Sequence, residues 1–308
     1  MEPIIFAGTP ENAATTLRGL VSSGYEVALV ITREDAPIGR KRVLTASPVA
    51  TAAEALGLRV LKVNKLTAET DAVIHSTGAR LALVVAFGAL LKQSTIATLE
   101  VGWFNLHYSL LPRWRGASPV QTALAFGDKS TGVTLFKIDA GLDTGDVVGS
   151  VETVVEPTEN TQRLLERLTT MGLSLALQEL PKLLAGLAQL KPQLGEVTLA
   201  PKIDRNMARI LIDDTAAVAL NKVRAYNPEP IAWLEFNGEP LRIIETEHSF
   251  EQLVQGELAP TNGGVLLGCA DARAIKLTVV QPAGKQKMPA TACWIIQRRV
   301  FDELRVAR

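Results

Sequence analysis

Cysteine and histidine are both scarce: the 308-residue chain has two cysteines, Cys269 and Cys293, and three histidines. Two thiols make neither a disulfide framework nor a four-ligand zinc site, so a reduced, cytoplasmic setting and no metal are expected. Net charge is lacking as well, with 32 Lys plus Arg against 32 Asp plus Glu. A neutral total excludes a chain that coats nucleic acid by bulk charge, though a local basic face stays open. Long apolar runs are missing. The stretch 81–91 falls far short of the roughly 18–20 residues a bilayer span requires, so no membrane association is expected. The opening Met-Glu-Pro-Ile-Ile-Phe carries no basic segment and is not read as a secretory signal. Several site signatures are absent too. There is no G-x-S-x-G nucleophile elbow, no G-x-G-x-x-G after the first strand and no P-loop.

What is present divides into two regimes. Apolar residues make up 47% of the chain, enough for a sizeable core, and the length suggests two domains. In the first half, short β-rich runs alternate with helical patterns, which implies a parallel-rich sheet covered by helices. Strands are expected at 4–7, 27–32, 83–87 and 104–106. Thr9 is a plausible N-cap with Pro10 at the first helical position, and Gly24 ends that helix. Ser47-Pro48 opens a second helix, and Ser118-Pro119-Val120-Gln121 reads as a capping box. A long helix is expected over 159–187, with Pro181 as a candidate break. Beyond it, Lys191-Pro-Gln-Leu-Gly195 reads as linker. The remainder holds a helix over 215–224 and short strands, with Asn237-Gly238 as a type I′ hairpin turn. A small β-barrel would bury such strands. The expected boundaries are a catalytic domain over 1–188, a linker over 189–206 and a β-rich domain over 207–308.

His75 and His248 lie in polar surroundings and read as solvated side chains. His107 ends a strand in Phe104-Asn105-Leu106-His107, where Asn105 shares its face because side chains alternate along a strand. An amide and an imidazole at the carboxyl end of a parallel strand stand where such sheets bind ligands. The same spacing also fits two polar residues that merely end the strand. Gly141-Leu-Asp143-Thr-Gly145 presents a carboxylate between two glycines, which suits either an ordinary turn or a partner that would raise the pKa of an imidazole. These residues are 36 positions apart, so spacing alone does not bring them together. Ser109-Leu-Leu-Pro112-Arg-Trp-Arg-Gly116 follows directly, a stiff loop with two arginines that also fits a solvated helix lead-in.

Taken together, Asn105-x-His107, Ser109-Leu-Leu-Pro112 and Gly141-Leu-Asp143-Thr-Gly145 resemble the formyltransferases that use 10-formyltetrahydrofolate. Phe6-Ala-Gly-Thr-Pro-Glu11, Pro112-Arg-Trp-Arg-Gly-Ala-Ser-Pro-Val-Gln121, Pro201-Lys-Ile203 and Arg224-Ala-Tyr-Asn-Pro228 are similar to the branch of that family acting on methionyl initiator tRNA. Departures lie at Asn12, Ile231 and Asp214, where the family commonly has an aromatic, a glycine and a tryptophan. The resemblance implies a Rossmann-like catalytic domain followed by an OB-like barrel. It implies formyl transfer with Asn105, His107 and Asp143 as catalytic residues, His107 kept protonated by Asp143. The folate would be a co-substrate and no cofactor would be tightly bound. By the same resemblance Ser109, Leu110, Leu111 and Pro112 line the folate site, together with Phe87, Gly88, Leu90, Asp139 and Gly141. Arg40, Lys41 and Arg42 would meet the acceptor stem, with Arg33 in the same loop. Lys202, Arg205, Lys285, Lys287, Arg298 and Arg299 would face phosphates. A monomer is expected. Two other readings fit less well: a formyltransferase for a sugar amine or glycinamide ribonucleotide, and a catalytically silent RNA-binding protein.

Overall fold

The computed structural model describes residues 2–39 and 41–294. The chain divides into two compact units. The first comprises residues 1–119, 130–154 and 165–201, and the second 120–129, 155–164 and 202–308.

Near the amino terminus, β1 (Ile4–Gly8) leads into α1 (Glu11–Ser22) and β2 (Val27–Thr32). A small antiparallel hairpin follows, β3 (Ala36–Ile38) with β4 (Val43–Thr45). Next come α2 (Pro48–Ala55), β5 (Val60–Lys62), α3 (Ala68–His75), β6 (Leu81–Val85) and α4 (Gln93–Ile96). Then follow β7 (Gly102–His107), β8 (Arg115–Gly116), α5 (Pro119–Phe126), β9 (Ser130–Lys137) and β10 (Val147–Val154). The main sheet runs β10-β9-β7-β6-β1-β2-β5. Its five strands from β5 to β7 are parallel, and β9 and β10 are antiparallel additions.

The parallel strands are buried on both faces, which is why β1 and β6 are continuous apolar runs. Chain order reverses at β1, which has β2 on one side and β6 on the other. Such a switch point opens a crevice at the carboxyl ends of the strands. Fully buried Phe6, Leu83 and Trp103 belong to the core of this unit, and Trp103 Nε1 donates to Thr95 O at 3.0 Å.

Two local expectations change. Pro10, not Thr9, is the N-cap residue of α1, and the Thr9 hydroxyl instead donates to Phe87 O at 3.0 Å. Strand β6 stops at Val85 because Ala86 turns to φ +47°, so Phe87 leaves the strand and enters a loop. Ser47 does cap α2, its hydroxyl accepting from Ala50 N.

Helix α6 (Thr161–Leu184) runs on through Pro181, which lies in its last turn. Residues 189–201, read as linker, pack within the first unit, where β11 (Leu199–Ala200) pairs parallel with β8.

In the second unit, α7 (Ala216–Tyr226) is capped by the Thr215 side chain. Strands β12 (Trp233–Phe236), β13 (Glu239–Gln252), β14 (Leu258–Thr261), β15 (Gly264–Gly268), β16 (Arg273–Gln281) and β17 (Met288–Pro289) form a six-stranded antiparallel sheet. Asn237 and Gly238 both have positive φ, +52° and +77°, as a type I′ turn requires. Register shifts along β13 sharpen the sheet's twist where it packs on α7 around Ile243, Ile275 and Val280. Among the described residues, no helix is long and apolar enough to cross a membrane.

Leu83 is fully buried on β6 and lies opposite Phe104 of β7. Leu83→Ala should lower unfolding free energy by about 2–5 kcal/mol, read from denaturant titration. A loss below about 1 kcal/mol would show that this strand does not sit in a packed core.

Candidate active site

Strand β7 delivers Asn105 and His107 to one face, and both line a cleft of about 630 Å³ at the carboxyl ends of β6 and β7. The cleft's opposite wall is the segment 138–143, which leaves β9. Register puts Lys137 opposite Phe104 and Thr134 opposite His107. The 138–146 loop must therefore fold back over β7 for its carboxylate to reach the imidazole. It does so: Asp143 Oδ2 lies 3.7 Å from His107 Nδ1.

The loop's sequence explains that path. Asp139 Oδ1 accepts from Gly141 N and from the Thr144 hydroxyl, closing the turn at 3.0 and 2.6 Å. Asp143 has φ +52°, a left-handed conformation that Asp tolerates better than most residues. Gly145 passes so close to the backbone that an added Cβ would lie 1.7 Å from Lys137 O, which no side chain permits. Asp143 Oδ2 also accepts from Gly116 N at 2.8 Å, so the carboxylate is anchored before any ligand arrives.

His107 is held from its other side. Its Nε2 bonds to Trp114 O at 2.8 Å, which places the proton of the neutral ring on Nε2 and leaves the Nδ1 lone pair facing Asp143. Burial pushes the His107 pKa below its ordinary value; Asp143 and the Trp114 carbonyl pull upward with less effect. That direction runs against the expected protonated His107. Desolvation of a 5% exposed imidazole outweighs a carboxylate that stands beyond hydrogen-bond distance and so favours the neutral ring. Asn105 has its Oδ1 buried without a partner, which leaves the amide NH₂ as its contact with the cleft.

Of the residues expected at the folate site, Phe87, Gly88, Leu90, Asp139 and Gly141 line the cleft. Ser109, Leu110, Leu111 and Pro112 do not. The Ser109 hydroxyl donates to Arg113 O at 2.5 Å, and Thr134 Oγ1 bridges Ser109 O and Leu111 N. This run is a buckle that leads into Trp114, whose carbonyl bonds to His107; the Ser109 hydroxyl is spent on backbone, and Ser109 O and Leu111 N on the Thr134 hydroxyl. The 86–91 rim is braced by Thr9 and also by Arg33, whose guanidinium donates to Gly88 O at 3.3 Å and Asn64 O at 3.2 Å. Arg33, placed with the basic loop by sequence, thereby supports the rim without lining the cleft.

Lys41 and Arg42 are exposed on the β3–β4 hairpin beside Ile38, Val43 and Leu44, which are themselves exposed. Lys202, Arg205, Lys285 and Lys287 are exposed in the second unit. Arg40, Arg298 and Arg299 lie outside the described residues. His75 and His248 are exposed. Sequence reading missed Gln193 and Thr198, which bond to both sides of the site. The run holding Gln193 contains Pro192 and Gly195 and therefore read as linker.

Because His107 has a lowered pKa, acid must charge a buried ring. Its contribution to stability is intact above about pH 6.5, the ordinary histidine value, and is lost as pH falls toward the lower folded-state value. Urea unfolding at pH 7.5 and 5.5 should show a larger loss for the parent than for His107→Asn. Equal losses would mean that the ring is not buried in its neutral form.

Comparison with known proteins gives a consistent result. Residues 2–180 match the formyl transferase family and residues 202–298 match the formyl transferase C-terminal domain. The chain is 41% identical over 293 residues to a protein named methionyl-tRNA formyltransferase from Clavibacter sepedonicus, covering 94% of this chain and 96% of that one. It is 40% identical over 294 residues to the protein of the same name from Neisseria meningitidis, with 94% and 95% covered. Among solved structures, an N-formyltransferase from Helicobacter canadensis, in complex with folinic acid and dTDP-3-aminofucose, matches with a TM-score of 0.70. That match is 18% identical and covers 92% of this chain and all of the other. HypX from Aquifex aeolicus, in complex with tetrahydrofolic acid, matches with a TM-score of 0.67 at 16% identity, over 95% of this chain and 46% of that one.

Proposed function

Because this chain belongs to the formyl transferase family, we propose that it moves the formyl group of 10-formyltetrahydrofolate to the α-amine of methionyl initiator tRNA. Near-full-length identity of about 40% to proteins named for that reaction supports the substrate pair. The observation that carries the chemistry is the meeting of Asn105, His107 and Asp143 in one cleft.

Attack of the neutral amine on the formyl carbon forms a C–N bond and puts negative charge on the formyl oxygen. The Asn105 NH₂ is the donor for that oxygen, acting where charge develops. The attacking nitrogen then carries an excess proton. His107 and Asp143 form the base that removes it: burial keeps the ring neutral and so able to accept, and the anchored carboxylate stabilises the imidazolium once formed. The same proton passes to N10 as the C–N10 bond breaks, so the pair ends in its starting state. No covalent enzyme intermediate is required.

Phe87, Gly88, Leu90, Asp139 and Gly141 form the folate wall, where a flat heterocycle pairs with loop backbone and apolar side chains cover its faces. Arg40, Lys41 and Arg42 take the acceptor end. Lys202, Lys285 and Lys287 contact phosphates, which position the RNA without reading it. The protein works in the cytoplasm as a monomer.

Direct detection of formyl-methionine on initiator tRNA, with small amines as competing acceptors, tests the reaction. Formylation of a sugar amine but not of the tRNA would replace this reading. Asn105→Ala should slow turnover by roughly 10²–10³-fold, the scale of one lost oxyanion donor. Turnover equal to the parent would remove Asn105 from the mechanism. Replacing Arg40, Lys41 and Arg42 together by alanine should weaken tRNA use and flatten its salt dependence. Unchanged affinity and salt slope would move the RNA contact elsewhere.

A further inference from the structure

Residues 191–200 leave α6 behind and lead to the second unit, yet they bond to both arms of the active site. Lys191 pairs with Val147 through two backbone bonds of 2.8 and 2.9 Å, fixing the start of the segment beside β10. Gln193 Nε2 then donates to Asp143 O at 2.8 Å and to Gly145 O at 2.9 Å. Gln193 Oε1 accepts from Arg115 Nε at 3.0 Å and Nη2 at 2.6 Å. An amide has two donors and room for two incoming donors, so all four of its hydrogen-bond sites are used. Five residues on, Thr198 Oγ1 accepts from Trp114 N at 2.9 Å, and Thr198 O accepts from Arg115 N at 2.9 Å. Trp114 is the residue whose carbonyl holds His107.

We propose that residues 191–200 are a brace for catalysis, in which Gln193 positions the Asp143 carboxylate against His107 and Thr198 positions the Trp114 carbonyl that fixes the same ring. This rests on the formyl-transfer reading of the cleft. Neither residue lines the cleft, so both are positioning residues.

The physical case turns on what would happen to Asp143 without the amide. Its left-handed backbone is a conformation most side chains avoid, held only where neighbours over-determine it. Gly116 N fixes the end of the side chain, and Gln193 fixes the main chain at the carbonyls on either side of Thr144. Arg115 ties these together. Its guanidinium orients the amide, while its backbone lies between Trp114 and Gly116, the residues bonded to His107 and to Asp143. Removing Gln193 releases the loop's main chain and leaves the Asp143 carboxylate swinging about a single bond to Gly116 N. A shift of about 1 Å at such a group costs roughly 10²-fold in rate. Thr198 acts on the other partner in the same way, but through one hydroxyl.

The test uses the full-length protein. Gln193→Ala and Gln193→Glu should each lower kcat by roughly 10–100-fold, the scale for a supporting residue, with KM for both substrates changed less than about 3-fold. Glutamate keeps the acceptor for Arg115 and loses both donors, so it separates the bonds to Asp143 and Gly145 from the bond to Arg115. Thr198→Ser keeps the acceptor and should retain kcat within about 3-fold, whereas Thr198→Val should lose it. The acid limb of the kcat–pH profile should move to lower pH in Gln193→Ala, because Asp143 is the group that pulls the His107 pKa upward. His107 ring resonances, assigned by their loss in His107→Asn, should titrate at correspondingly lower pH in Gln193→Ala than in the parent. That reading needs no turnover. If the parent fails to formylate tRNA, the functional reading falls while the ring titration still judges the brace. An unmoved titration, or a kcat within about 2-fold of the parent in Gln193→Ala, would overturn the proposal. So would equal rescue by glutamate. Equal loss of kcat, KM and melting temperature with an unmoved acid limb would reduce Gln193 to a purely structural residue.

Discussion

One buried imidazole organises this site. His107 sits between the Trp114 carbonyl and the Asp143 carboxylate, and each partner acts on a different ring nitrogen. The carbonyl settles which nitrogen carries the proton. Burial favours the neutral ring before a substrate arrives, and the carboxylate offers stabilisation that is drawn on when a proton reaches Nδ1. A solvated histidine would be charged for part of the neutral range and a poorer acceptor. An imidazole buried without a carboxylate would be neutral but slow to take a proton. The combination suits a transfer in which one nitrogen gives up a proton and another receives it.

Both partners of the ring come from loops, and the loops are held by backbone contact more than by side-chain packing. Gly116 and Gly145 are needed because Ala200 O and Lys137 O would lie 2.4 and 1.7 Å from an added Cβ. Close main-chain approach places β8 and β11 side by side and lets the 138–146 loop lie over β7. The sheet contributes a fixed edge, and three separated stretches of chain, 114–116, 138–146 and 191–200, are tied together around His107. Thr9 and Arg33 show the same economy at the opposite rim, where they hold the carbonyls of Phe87 and Gly88.

Much of this could be read from residues alone. The alternation of apolar runs and capped helices marked the parallel sheet, and Asn237-Gly238 marked its hairpin in the β-rich unit. Period-2 spacing put Asn105 and His107 on one face, as β7 shows. The differences have physical causes. Thr9 resembles an N-cap in sequence, but a hydroxyl takes whichever backbone partner the fold brings near, and that was Phe87 O. Ser109 to Pro112 sit beside the site in sequence but outside the cleft lining, with the Ser109 hydroxyl and carbonyl engaged in a turn. Lys191 to Gly195 has a linker's composition, yet Gln193 is bonded at every polar site.

The sequence by itself determined the two regimes of the chain, the strand that carries Asn105 and His107, and the glycine-flanked carboxylate that would have to meet them. Those properties are local: side-chain period, caps and turn chemistry act over a few residues. Only the tertiary structure decided that the carboxylate folds back over β7, that burial outweighs its pull on the imidazole, and that a linker-like segment bonds to both sides. Those outcomes depend on desolvation and on contacts between residues tens of positions apart, which exist only once the chain has closed around them.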